Sequence, residues 1–126
     1  MTLCDTNILI EFYKNNPQIT EELRRIGPNR LAISAITQAE LYFGALNKAE
    51  LQRIKRHLAL LTGFSLDIPI SSRFLQLMET YSLSHKLSLP DALIAATALS
   101  HDLPLYTLNV KDFRFISGLS LYRPVA

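Results

Sequence analysis

One cysteine, no tryptophan, four glycines and three histidines in 126 residues each narrow what this chain can be. The lone Cys4 has no partner for an internal disulfide, so no covalent staple holds the fold and a reducing compartment suits it. Its thiol reads as a buried core atom rather than a nucleophile. No apolar run approaches the roughly 18 residues of a membrane span, and Asp5 stands where a signal peptide needs Lys or Arg. A cytoplasmic protein without a membrane partner is expected. The phosphate-loop signature GxxxxGK[ST] is missing, and the Asp5 segment lacks the second Asp of an aspartyl-phosphate enzyme. Net charge is also scarce. A formal +2 and a pI of about 8.8 do not by themselves establish a nucleic-acid binder.

What is present is an ordinary globular composition, 48% hydrophobic and 19% charged, at a length suited to one domain. Short apolar runs alternate with helical patterns, which predicts an α/β fold with a mostly parallel sheet. Strands are expected at Thr2 to Asp5, Leu31 to Ser34, Phe64 to Ile68 and Leu105 to Leu108, with a possible edge strand from Leu119 to Tyr122. Helices are expected over Asn7 to Tyr13, from Pro17 to the Gly27-Pro28 stop, around Glu40, over Asn47 to Leu61 with Gly63 as its end, over Ile70 to Leu83, and over Asp91 to Ser100. Around Glu40, the spacing puts Ile36, Ala39, Glu40, Phe43 and Gly44 on one face. Basic residues gather in the first half, at Arg24, Arg25 and Arg30 and again at Lys48, Arg53, Lys55, Arg56 and His57. Such groups are either solvated helix faces or a partner surface.

Four segments carry acids with a chemical reading. Asp5-Thr6-Asn7 follows the first strand, where open α/β sheets bind ligands, although Asp5 could equally cap the next helix. Glu40 lies on an apolar stripe, where an ionised group needs a partner or a metal. Asp91 opens an almost wholly apolar helix, whose N-terminus favours an anion by about 0.3 to 1 kcal/mol. Thr107-Leu108-Asn109-Val110-Lys111-Asp112-Phe113 leaves a strand with three oxygen-bearing side chains, and alone reads as an Asx turn. Gathered in one cleft, carboxylates without Cys or His point to Mg²⁺ or Mn²⁺ rather than Zn²⁺. His57, His85 and His101 fall outside these segments and are expected at the surface or at helix ends.

Taken together, Asp5-Thr6-Asn7, Thr37-Gln38-Ala39-Glu40-Leu41, Pro90-Asp91-Ala92-Leu93-Ile94-Ala95-Ala96 and Thr107-Leu108-Asn109-Val110-Lys111-Asp112-Phe113 resemble the PIN-domain family, in particular toxins of the VapC type. The resemblance spans essentially the whole chain. It implies a single three-layer α/β/α domain over residues 1–126. It also implies a catalytic quartet of Asp5, Glu40, Asp91 and Asp112 holding one or two Mg²⁺ or Mn²⁺ ions, supported by Thr6, Thr107 and Asn109. The implied activity is metal-dependent hydrolysis of RNA phosphodiesters, with Glu40 either a ligand or the base. The implied partners are RNA, a small VapB-type antitoxin and a second copy of the chain. Leu108 departs from the polar or basic residue many relatives place there. A PIN enzyme of RNA processing and an inactive PIN-like binding module are the rival readings, the latter disfavoured by a complete acidic set.

Overall fold

The computed structural model describes residues 1–125. Four short strands, β1 (Thr2–Cys4), β2 (Leu31–Ser34), β3 (Thr62–Phe64) and β4 (Leu105–Tyr106), form an all-parallel sheet in the order β3-β2-β1-β4. Six helices surround it: α1 (Thr6–Tyr13), α2 (Pro17–Ile26), α3 (Ala35–Phe43), α4 (Lys48–Leu58), α5 (Ile68–His85) and α6 (Leu89–Ser100). None is long and apolar enough to cross a membrane among the described residues.

The layering follows from strand alternation. Leu3, Ala32 and Leu105 are registered side by side and bury into one core with α5 and α6. Their neighbours Cys4, Ile33 and Tyr106 point the other way, into a second core with α1, α2, α3 and α4. The result is an α/β/α sandwich. The α6 helix fits against α5 and the sheet because Ala92, Ala95, Ala96 and Ala98 are small and fully buried.

Each helix begins with a side chain suited to accept an otherwise orphaned backbone N–H: Asp5, Asn16, Ser34, Asn47, Asp67 and Ser88. Gly27, at φ 90, ends α2 in a conformation that suits glycine.

Several elements differ from the pattern-based expectation. The α4 helix stops at Leu58 rather than Leu61, and Gly63 does not end it but lies within β3, displacing that strand from Phe64–Ile68 to Thr62–Phe64. A Cβ at Gly63 would lie 2.7 Å from Gln38 Nε2, the mobile end of a side chain that a substitution there would displace. The β4 strand ends at Tyr106, and the segment 119–122 gives a single bridge, Leu105 to Leu121, instead of a strand. The buried face of α3 is Thr37 and Leu41, while Phe43 is 93% exposed. Glu40 therefore stands at the margin of the buried face.

The sequence pattern gave no sign of Glu22, which is 1% exposed. It accepts hydrogen bonds from Arg25, from the Tyr122 hydroxyl and from the Val125 N–H. These contacts hold its carboxyl down at a pKa of about 2 against the opposing effect of burial. This joins α2 to the C-terminal segment.

Candidate active site

In the strand order, β1 lies between β2 on one side and β4 on the other, so the chain reverses direction across the sheet at β1. Ligands of parallel α/β sheets bind in the crevice such a reversal opens beyond the carboxyl ends of the strands. Asp5 and Thr107 immediately follow β1 and β4 there.

Asp5 is 5% exposed and caps α1. Its Oδ1 accepts the Thr6 N–H at 2.7 Å and its Oδ2 accepts the Thr107 hydroxyl at 2.7 Å. Burial pushes its carboxyl above the ordinary aspartate range, these two hydrogen bonds oppose that, and the charges of Glu40 and Asp112 add to it. The capping reading of Asp5 holds, and its carboxylate is buried at the carboxyl end of β1.

The Thr6 hydroxyl donates to Glu40 Oε1 at 2.7 Å and lies 3.1 Å from the hydroxyl of buried Thr37. This ties α1 to α3. Thr107 Oγ1 also accepts the Asn109 N–H at 3.0 Å, and the Asn109 carbonyl accepts the Asp112 N–H at 3.0 Å. Asn109 therefore acts through its backbone, setting the 3₁₀ turn Val110–Asp112. Asp112 is exposed on that turn.

Asp91 occupies the first turn of α6, its N–H donating to the Ser88 cap at 3.2 Å. Its carboxyl is pushed up to about 6 by burial, then by the charges of Asp5, Asp112 and Glu40, with Ser88 opposing. Hydrogen bonds link Asp5, Thr6, Glu40 and Thr107 directly. Asp91 and Asp112 join them through charge alone.

Two further side chains belong to this network. Asn7 Oδ1 accepts the Leu108 N–H at 3.3 Å, which straps the loop after β4 onto α1. Its signal was its place in the Asp5-Thr6-Asn7 segment. Thr37 could have been found as the hydroxyl one helical turn before Glu40.

None of the three ion pairs among the described residues, Lys14–Glu11, Arg24–Glu21 and Arg25–Glu22, involves any of the four site acids. Among the described residues, no three acidic, histidine or cysteine groups converge on one point as a ready coordination shell. The donors nonetheless fit a hard cation: they are all oxygen, their mutual repulsion is uncompensated by any ion pair, and Mg²⁺ takes one or two carboxylates while keeping several waters. A groove of about 600 Å³ adjoins the site through Glu40, with Ile10, Tyr13, Lys14, Arg53 and Ile54 among its lining.

Cys4 is fully buried, and burial with the charge of Asp5 pushes its thiol up to about 12, which removes it as a nucleophile. The three histidines sit at or near the C-terminal ends of α4, α5 and α6, each stacked on a phenylalanine.

Comparison with known proteins agrees with this geometry. Residues 2–117 match the PIN domain model. Ribonuclease VapC10 of Mycobacterium tuberculosis is 38% identical across 94% of this chain and 90% of its own length. Ribonuclease VapC1 of Haemophilus influenzae is 36% identical, across 93% and 92%. Among solved structures, a toxin–antitoxin complex from Klebsiella pneumoniae contains a chain that superposes with a TM-score of 0.82 at 35% identity, covering 99% of this chain and 100% of that one. The VapBC-1 structure from nontypeable Haemophilus influenzae gives 0.81 at 31% identity, with 96% of both chains covered. With the family model spanning nearly the whole chain and the sheet reversal carrying its acids, this chain belongs to the PIN-domain family.

Proposed function

We propose that Asp5, Glu40, Asp91 and Asp112 form the catalytic centre of a metal-dependent endoribonuclease. The chain is the toxin of a type II toxin–antitoxin pair, with RNA as substrate and a small VapB-type antitoxin as partner. The observation that carries this reading is electrostatic: burial, together with the charges of Glu40 and Asp112, pushes Asp5 and Asp91 above the ordinary aspartate range, and none of the four acids has a cationic partner among the described residues. Relatives named as ribonucleases and neighbours solved as toxin–antitoxin complexes support the activity and the partner.

The reaction is hydrolysis. A water oxygen attacks phosphorus, the bond to the leaving oxygen breaks, and that oxygen takes up a proton. Mg²⁺ or Mn²⁺, when bound, neutralises phosphoryl charge and lowers the cost of ionising the attacking water. Asp5, Asp91 and Asp112 are the direct ligands in this reading. Thr6 fixes Glu40 by one oxygen, leaving Oε2 to orient the water and take its proton, or to hold the ion. Thr107 fixes Asp5 and, through Asn109, the turn that bears Asp112. The chain works in the cytoplasm, where its RNA substrates are, as a homodimer.

The test is to induce the wild type and Asp5→Asn separately and sequence the new RNA ends. Growth arrest and discrete ends only with the wild type, both abolished by a co-expressed antitoxin from its native host, are expected. Identical end patterns in both strains would remove Asp5 from the chemistry.

A further inference from the structure

The substrate and the site carry the same sign of charge. RNA must bring its phosphates to four carboxylates whose charge one divalent cation would offset only in part, so the strand's approach would be favoured by positive charge elsewhere on the surface. Its location follows from the charge distribution. The α4 helix carries Lys48, Arg53, Lys55 and Arg56 against Glu50, a net +3, whereas the whole chain carries +2. Everything outside α4 therefore sums to −1. All four cations are exposed, and none enters an ion pair among the described residues.

The bland explanation is compensation of the helix dipole. It covers Lys55 and Arg56 in the last turn, but not Arg53 in the middle, and it is reversed for Lys48, which sits at the first position where a cation is disfavoured. The inner face of α4 is fixed by buried Ile54 and Leu58, so the cations are presented outward on a rigid element. From Lys48 to Arg56 they span about 12 Å at 1.5 Å per residue. Of the four, Arg53 lines the groove that Glu40 also lines, together with Lys14 and Glu50, so α4 meets the acidic site through Arg53 while Lys48, Lys55 and Arg56 lie outside the groove.

We infer that α4 is the phosphate-binding track of this enzyme, on which the RNA backbone lies as it enters the carboxylate cleft beside Glu40. This rests on the ribonuclease reading but adds a binding surface distinct from the four acids. Lys55 and Arg56 make point-charge and forked contacts to successive phosphates, and Arg53 guides the strand toward the groove.

The experiment measures binding of a fluorescein-labelled single-stranded RNA to the full protein in EDTA, where cleavage is silent, over a salt series. The proteins are wild type, Lys55→Gln with Arg56→Gln, Lys48→Gln, and a control pair, Arg73→Gln with Lys86→Gln, whose exposed cations lie outside α4. Each phosphate contact on a single strand contributes a slope of about 0.7 in log affinity against log salt. The α4 pair should lose a slope of about 1.4 and bind at least about tenfold more weakly at low salt, Lys48→Gln should lose about half that slope, and the control pair should match the wild type. In Mg²⁺, the α4 pair should raise KM far more than it changes kcat.

Wild-type affinity and slope in the α4 pair overturn the track, as does an equal loss in the control pair. Normal RNA binding by the α4 pair combined with lost inhibition by the antitoxin also overturns it, assigning the face to an acidic polypeptide instead. A wild type that binds RNA with this salt dependence but never cleaves it would defeat the ribonuclease reading and leave the track standing.

Discussion

Asp5 caps α1 with one carboxylate oxygen and accepts the Thr107 hydroxyl with the other, and both hydrogen bonds leave lone pairs to spare for the cation proposed there. Asp91 has no such pair of partners and bears the electrostatic cost more openly. Its carboxyl, raised to about 6, favours the protonated form in the folded state more than in the unfolded chain. Its ionisation thus opposes folding, so metal-free stability from this group is highest below the ordinary aspartate range near 3.9 and is lost as pH rises through about 6. Replacing Asp91 with Asn removes that loss. Thermal melts in EDTA should show Asp91→Asn equal to or above the wild type at pH 8, with the difference shrinking toward pH 4. A variant clearly less stable at pH 8 would mean that Asp91 chiefly serves as a favourable first-turn anion of α6.

The α6 helix was the most legible element, because Pro90 at its start and an alanine-rich run leave little choice but burial, and Ser88 precedes it as a cap. Ser88→Ala should lower stability by about 1 kcal/mol, Ser88→Asn should restore most of it, and denaturant midpoints would measure both. Equal midpoints for the alanine and asparagine variants would contradict the cap. Other elements were less legible for identifiable reasons. Three-residue β3 contains a glycine and shows no periodicity of its own; its pairing with β2 and the passage of Gln38 over Gly63 define it. On α3, counting apolar spacings selected Phe43, which faces solvent, because the buried position is held by Thr37, a polar residue whose hydroxyl is satisfied by Thr6. Hydrophobic pattern cannot announce a buried threonine whose partner lies 31 residues away.

At the scale of the molecule, the acids lie at positions 5, 40, 91 and 112, and the fold brings them close enough for the charges of Glu40 and Asp112 to act on Asp5 and Asp91. Their residue types, the strand-end place of Asp5 and the helix-start place of Asp91 could be read along the chain, as could the α/β layering. The clamps between segments could not, since Thr107 to Asp5, Asn7 to Leu108 and Tyr122 to Glu22 each span about a hundred residues. Among the described residues no ion pair involves these acids, while α4 carries a net positive charge. That arrangement has a use if the cluster binds a cation that cleaves RNA. The most direct measurement is cleavage of a labelled RNA by the purified, antitoxin-free protein with Mg²⁺ or Mn²⁺ and with EDTA, for the wild type, Asp5→Asn, Asp91→Asn and Asp112→Asn. The account predicts cleavage that EDTA abolishes and that each substitution lowers by orders of magnitude, with circular dichroism unchanged; undiminished cleavage in EDTA, or near wild-type turnover in all three variants, would contradict it.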